Sequence, residues 1–397
     1  MPTLRVAIIG AGMIGRAHAR AFRALRQSFQ PAPADIELTV VADADAALAE
    51  DARTRWEFDR TASDWQTVAE ADDVDLVVVA LPNFQHAQAV EVLLANKKHI
   101  LCEKPLASTP ADALDMLQAA ERAGVVHGVG FNLRRFPSIT AARALIERGD
   151  LGQIQHFSAR YLTDYAASPE VPFTWRYQRS LAGSGALGDI ASHIIDLARF
   201  LVGDLDSVSG AALATFIPER YVPSGHVTGH SRAATTGEKR QVDTDDVGSF
   251  TASFRTGGVA DFRFSRIATG YRNSAAFSVT GSKGSIEFDT ERAAELQLYV
   301  QGSDDQEHFN GFRRVVMGPH HPYFNQVTAF PVAGVGYGYT ETYVAQAYEL
   351  VRAVAEDRPY TPGFADGYAA LSVCEAVLQA AEQGRATPIE RVPQPVA

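Results

Sequence analysis

The sequence predicts an α/β domain with a parallel sheet, followed by an α+β domain built on a large, mostly antiparallel sheet. Three observations carry this. Apolar runs alternate with helical stretches over roughly the first 130 residues. A G-x-G-x-x-G loop stands at the first strand-to-helix junction. After about Arg134, short strand-like runs follow one another, mostly without helices between them.

Leu4 to Ile9 is mostly apolar, as a parallel strand buried on both faces requires. A helix is expected from about Met13 to Phe29, broken by Pro31-Ala32-Pro33. Ile36 to Ala42 reads as the second strand. Ser63 and Gln66 have capping-box spacing before a short helix. Leu76 to Leu81 and His99 to Cys102 read as further strands. Ser108 or Thr109 before Pro110 marks a helix start with proline at its first position. Val125 to Phe131 closes the series, whose repeated β-α units imply right-handed crossovers.

A helix near Pro137 to Arg148 ends at Gly149. Strand-like runs follow at Gln155–Tyr161, Val208–Phe216, Ser249–Phe254, Val259–Ser265, Ala276–Thr280 and Ser285–Phe288. Gly281-Ser282-Lys283-Gly284 suits a hairpin turn. Glu219 to Asp245 is polar and reads as a long surface excursion. Tyr343–Ala355 and Ala365–Gln383 read as closing helices.

A chain of 397 residues, 46% hydrophobic and 21% charged, can bury a sizeable core in two or three ordinary domains. A net charge of −11 argues against nucleic acid and against anionic membranes as partners. No apolar run reaches the ~20 residues that cross a bilayer. Met1-Pro2-Thr3 leads straight into a strand, so no secretion signal and a cytoplasmic location are expected. Cys102 and Cys374 are too few for a disulfide framework and read as buried apolar residues.

In Gly10-Ala11-Gly12-Met13-Ile14-Gly15, Gly10 permits the tight turn, Gly12 lets backbone approach a pyrophosphate, and Gly15 lets helix and strand pack. The helix N-terminus then presents free N–H groups to the phosphates. Asp43, ending the second strand, can accept from the ribose hydroxyls and would repel a 2′-phosphate. No Arg or Lys follows in Ala44-Asp45-Ala46-Ala47, which favours NAD over NADP. Read alone, Asp43 also suits a strand-end turn.

Cys102-Glu103-Lys104-Pro105 falls at the carboxyl end of a parallel strand, where open α/β sheets bind ligands. Asp189 and His193 lie four apart, on one helical face beside the stripe Ile190, Ile194, Leu197, Leu201. Read alone, that pair equally suits a solvated face. The glycine-rich approach Gly183 to Gly188 suggests close contact with a ligand, a mobile lid, or a plain turn. Metal chemistry is not expected, because no His/Cys/carboxylate cluster has ligand spacing.

Taken in order, these motifs resemble the Gfo/Idh/MocA family, named for glucose–fructose oxidoreductase and inositol dehydrogenase. The resemblance rests on the glycine loop, Leu81-Pro82-Asn83-Phe84-Gln85-His86, Glu103-Lys104-Pro105, Gly130-Phe131-Asn132, and Asp189 with His193. It spans nearly the whole chain. It implies a Rossmann domain over residues 1–134. Over 135–397 it implies an α+β domain whose open-faced sheet assembles a homodimer or homotetramer. It further implies a catalytic Lys104, Asp189 and His193, a cis peptide before Pro105, and cofactor contacts from Met13, Ile14, Leu81, Pro82, Asn83, His86, Glu103, Lys104 and Asn132. Thr174-Trp175-Arg176-Tyr177-Gln178, the run Ala182 to Ala191 and Ile217-Pro218-Glu219-Arg220 resemble the family's levoglucosan-dehydrogenase-like branch. Leu133 stands where that branch is expected to carry a tyrosine.

The expected reaction is NAD-dependent oxidation of a ring secondary hydroxyl of a sugar or cyclic polyol, levoglucosan-like and at C3. His193 is expected to act as base, Lys104 to stabilise the alkoxide, and Asp189 to orient the imidazole or bind a neighbouring hydroxyl. Trp175 and Arg176 are expected to contact both cofactor and substrate, or else simply to pack and to pair at the surface. Arg134 and Tyr161 are expected to contact substrate. The competing readings are an inositol dehydrogenase, an oxidoreductase that retains its nucleotide between two sugars, and a non-catalytic nucleotide-binding sugar sensor.

Overall fold

A computed structural model describes residues 3–393 apart from 30, 226, 228, 230–232, 303–309 and 329. Met1, Pro2 and part of the expected 219–245 excursion therefore lie outside the described residues. The first half runs β1 (Thr3–Ile9), α1 (Met13–Ser28), β2 (Asp35–Ala42), α2 (Ala46–Trp56), β3 (Arg60–Ala62), α3 (Trp65–Ala69) and β4 (Leu76–Val79). It continues through α4 (His86–Ala95), β5 (His99–Cys102), α5 (Pro110–Ala123) and β6 (His127–Val129). The strands pair in parallel in the order β3-β2-β1-β4-β5-β6. All four β4 residues are fully buried, as the continuous apolar run requires. Strand order reverses between β1 and β4, and such a switch point is where these sheets bind nucleotide. Helix α3 is capped by Asp64, whose carboxylate accepts the Thr67 N–H at 2.8 Å, and not by Ser63. Thr109, not Ser108, caps α5.

The second half contains α6 (Pro137–Glu147), β7 (Ile154–Leu162), α7 (Arg179–Ala182), α8 (Ser192–Leu201) and β8 (Leu205–Ala214). Next come β9 (Glu219–Pro223), β10 (Thr235–Gln241), β11 (Val247–Phe254), β12 (Val259–Ser265), β13 (Ser274–Gly281) and β14 (Gly284–Asp289). The chain closes with β15 (Glu295–Val300), β16 (Arg313–Val316), α9 (Phe324–Val327), α10 (Tyr339–Ala355), α11 (Phe364–Gln383) and β17 (Thr387–Pro388). Nine strands pair in the order β16-β15-β14-β13-β7-β12-β11-β8-β17. All neighbours are antiparallel except β7 and β12. Strand β11 shows the alternation of a half-covered sheet: Phe250, Ala252 and Phe254 are buried, while Ser249 and Thr251 face out. The other face is open.

The 219–245 stretch is not featureless, for β9 and β10 form an antiparallel hairpin within it. Helix α10 returns to the first sheet. Its Val344, Ala347, Leu350 and Val351 share a core with Val6, Ile8, Phe22 and Leu25. Asn132 and Thr342 are thereby hydrogen-bonded across 210 positions at 2.8 Å.

Candidate active site

The glycine loop has the geometry its residues imply. Gly10 takes φ +99°, and a Cβ there would fall 2.4 Å from the Ala80 carbonyl oxygen. A Cβ on Gly15 would fall 1.8 Å from the Gly10 oxygen. A Cβ on Gly12 would meet nothing within 4 Å, so a ligand can approach the backbone there. No side chain caps α1, and its first N–H groups remain available to an anion. Asp43 Oδ2 accepts the Ala11 N–H at 2.7 Å and Oδ1 the Asp45 N–H at 2.9 Å. The carboxylate thus fixes the glycine loop.

From this loop a cavity of about 560 Å³ runs between the two sheets. Met13, Ile14, Leu81, Asn83, His86, Glu103 and Asn132, all from the first domain, line one part of it. Lys104, Tyr161, Trp175, Arg176, Asp189 and His193 line the other. Pro82 lies in the adjoining turn and outside the lining. Among the described residues the buried carboxamide oxygens of Asn83 and Asn132 have no partner, while their amide groups donate to Ala182 O (2.9 Å) and Thr342 Oγ1 (2.8 Å). A buried acceptor left unmet costs about 1–3 kcal/mol, so both call for a donor from a ligand. The hydroxyl and carboxamide donors of NAD fit that need. His86 instead holds the scaffold: Nε2 lies 2.9 Å from Leu81 O, and Nδ1 3.2 Å from both Pro105 O and Leu106 O.

The Lys104–Pro105 peptide is cis. Beside it, Glu103 Oε1 lies 2.7 Å from Nε2 of the fully buried His18. Lys104 Nζ donates to Asp189 O at 2.5 Å and to Asp189 Oδ1 at 3.1 Å. Tyr165 Oη donates to Asp189 Oδ2 at 2.5 Å. Asp189 sits in a π-helical turn, Leu187–Ala191, that precedes α8, so the simple helical spacing expected between Asp189 and His193 is widened. The Asp189 carboxylate reaches Lys104 and Tyr165. His193 is buried, and among the described residues its Nδ1 has no partner. Burial, and secondarily the Lys104 charge, holds its pKa well below the usual imidazole value, against an opposing pull from Asp189. The imidazole is therefore neutral at physiological pH.

Arg134 does not face the cavity. Its guanidinium is buried and committed to Asp196 (2.5 and 2.8 Å) and Asp366 (2.9 Å). It braces α8 against α11 and is not among the residues that line the cavity. Leu133 is likewise packed in the core. The glycines at 183–188 serve close backbone packing: a Cβ on Gly185 would fall 1.9 Å from the Asp245 carbonyl oxygen. The Asp245 carboxylate accepts the N–H groups of Gly185 (2.7 Å) and Leu187 (2.8 Å). Tyr165, Asn273, Tyr339 and Tyr343 also line the cavity, without a motif to announce them. Among the described residues no three His, Cys, Asp or Glu side chains group as a metal site.

A dinucleotide cleft that opens onto an ammonium, a neutral imidazole and a carboxylate has the parts needed to take a hydride and a proton from an alcohol. The class so defined is that of the NAD-dependent oxidoreductases. The chain belongs to the Gfo/Idh/MocA family within it. Residues 4–131 match that oxidoreductase family's NAD-binding Rossmann fold, and residues 139–287 match its C-terminal domain. Levoglucosan dehydrogenase of Pseudarthrobacter phenanthrenivorans is 41% identical over 96% of this chain and 97% of its own. Inositol 2-dehydrogenase of Rhizobium meliloti is 26% identical over 96% and 98%. A solved structure of levoglucosan dehydrogenase in complex with NADH and levoglucosan superposes with a TM-score of 0.90 at 38% identity, covering 98% of this chain and all of that one.

Proposed function

We propose that this protein oxidises a ring secondary hydroxyl of a sugar or anhydrosugar, levoglucosan-like and at C3, to a ketone. The observation that carries this is the convergence of Lys104, Asp189 and a neutral His193 on one cavity beside the glycine loop. NAD, when bound, accepts the hydride. His193 takes the hydroxyl proton. Lys104, pinned by Asp189, donates to the same oxygen as negative charge develops on it. Asp189 holds the ammonium and aligns Tyr165, while Trp175, Arg176 and Tyr161 wall the sugar. Asn83, Glu103 and Asn132 would help to hold NAD, the two asparagines through their unmet carboxamide oxygens. The likeness to levoglucosan dehydrogenase supports an anhydrosugar, and the full-length likeness to inositol 2-dehydrogenase supports a cyclic polyol as the second reading. Both Lys104 and His193 are retained, which favours an enzyme over a sensor.

Kinetics with levoglucosan, other sugars and inositols, each with NAD and NADP, test the proposal. The expected result is highest kcat/KM for an anhydrosugar with NAD, and a preference for an inositol would install the second reading. We assign residues 1–134 to nucleotide binding and 135–397 to substrate binding and assembly. We place the protein in the cytoplasm as a homodimer or homotetramer joined through the open sheet face. Among the described residues no helix is long and apolar enough to cross a membrane. A monomer by light scattering at micromolar concentration would refute the assembly.

A further inference from the structure

Arg220, on β9, is fully buried, and the nearby Asp246 carboxylate that attracts it is itself paired with Arg266 at 2.8 Å. A buried cation is costly unless something else satisfies it. Here one loop meets both terminal nitrogens, while Nε is buried without a partner among the described residues. Nη2 donates to Ala166 O at 2.7 Å, and Nη1 to Ser168 O at 2.9 Å and Val171 O at 3.2 Å. The guanidinium also lies over the Tyr177 ring, 4.3 Å from its centroid. The loop's own structure is limited to turns closed by Ala167 N–H to Asp164 O (3.0 Å) and Val171 N–H to Ser168 O (3.2 Å) and a 3₁₀ turn at Trp175–Tyr177. It is anchored at Ala166, whose N–H donates to Arg266 O at 3.0 Å, and beyond that point it leans on the β9–β10 hairpin. Phe173 N–H donates to Tyr221 O at 2.7 Å, and Val171, Phe173, Tyr177 and Val242 form a small apolar cluster apart from the main cores. This matters because Tyr165, immediately before Ala166, carries the hydroxyl bonded to Asp189, and Asp189 holds Lys104.

We propose that Arg220 is a positioning residue for the reaction: by gathering three carbonyls of the 166–171 loop, it holds the Tyr165 hydroxyl on Asp189 and, through Asp189, aims the Lys104 ammonium. The proposal rests on the assignment of Lys104 and Asp189 to the chemistry. If it holds, Arg220 and Tyr165 act as one unit, and their losses overlap instead of multiplying.

The experiment is a double-mutant cycle of Arg220→Met and Tyr165→Phe, read as kcat/KM for the sugar at saturating NAD, with Lys104→Ala as a reference. Tyr165→Phe should lose roughly ten- to a hundred-fold, the range of one hydrogen bond to a charged group. Arg220→Met should lose a similar factor, and the double variant no more than about twice the larger single loss. Arg220→Lys, with one ammonium for three carbonyls, should fall between. A role confined to hairpin stability would instead lower the melting temperature and leave the two losses multiplicative. That result, or unchanged kcat/KM in Arg220→Met, overturns the proposal. If Arg220→Met does not fold, Arg220→Lys with Tyr165→Phe decides on the same criterion. An active Lys104→Ala would overturn the site assignment itself, whatever Arg220 does.

Discussion

Replacing His193 with alanine separates the two candidate proton acceptors. The imidazole is buried and held neutral by desolvation and by Lys104, so it stands ready to accept a proton without first losing one. Removing a general base costs ~10²–10⁴-fold in rate. Lys104 keeps both of its bonds to Asp189 in that variant, so alkoxide stabilisation should survive. The expected loss in kcat is therefore at least about 100-fold, with little change in NADH affinity. The sign of the pH effect follows from the direction of the shift. Activity needs the neutral ring, and the ring's pKa lies below 6.5, so the acid limb of kcat/KM should lie on the acid side of 6.5. That limb should vanish in His193→Ala. The assay is NADH formation across pH at saturating sugar, with a deuterium isotope effect at the oxidised carbon to show that chemistry is being read. NADH fluorescence gives the cofactor Kd. Near-normal kcat in a folded His193→Ala that binds NADH, with collapse in Lys104→Met, would refute the reasoning and make Lys104 the base.

Three further outcomes follow from the same geometry. Arg134→Ala strands the buried Asp196 and should cost about 3–5 kcal/mol of stability, seen as a marked fall in melting temperature, with sugar KM unchanged in the folded protein. Asp43→Ala removes the acceptor for the Ala11 N–H and the repulsion of a 2′-phosphate, so it should weaken NAD and narrow the preference over NADP; an unchanged NAD to NADP ratio of kcat/KM would contradict this. Burial drives His127 down to about 4, so as pH falls from 6.5 the unfolded chain takes up a proton before the folded one does. Stability present above pH 6.5 is then lost on the way to 4, on the order of 3 kcal/mol from this group alone, and urea midpoints at pH 7 and 4.5 measure it.

The local parts of the site were legible because their chemistry is written in contiguous residues. The glycine loop, Glu103-Lys104-Pro105 and the Asp189–His193 pair each place reactive groups at a strand or helix end. What was hidden depends on partners far away in sequence. Arg134 follows Asn132 in a site-like run, and nothing nearby reveals that it is consumed by Asp196, 62 positions on, and Asp366, 232 positions on. Tyr165 gains its meaning only once β7 and α8 bring it to Asp189. The β9–β10 hairpin looked featureless because Thr235–Gln241 is exposed throughout and lacks strand-like alternation. The parallel pairing of β7 with β12 joins Ala159 to Phe262, which turn-by-turn reading cannot foresee.

The arrangement also explains why one lysine serves two ends. An ammonium has three N–H donors. Two of Lys104's are taken by the Asp189 carbonyl and carboxylate, and among the described residues the third is uncommitted. Two anchors on one tetrahedral nitrogen fix the direction of the remaining donor, so it points without the entropy of a free side chain. The same charge adds to burial, the larger cause, in lowering the pKa of His193. In the proposed reaction Lys104 would give a hydrogen bond to the developing alkoxide, while burial, helped by the Lys104 charge, keeps His193 unprotonated. Asp189, the smallest of the three influences, opposes the shift at His193. Exchanging Lys104 for arginine would preserve the charge but spread it over a plane that cannot reproduce two bonds to one residue and a third to the cavity.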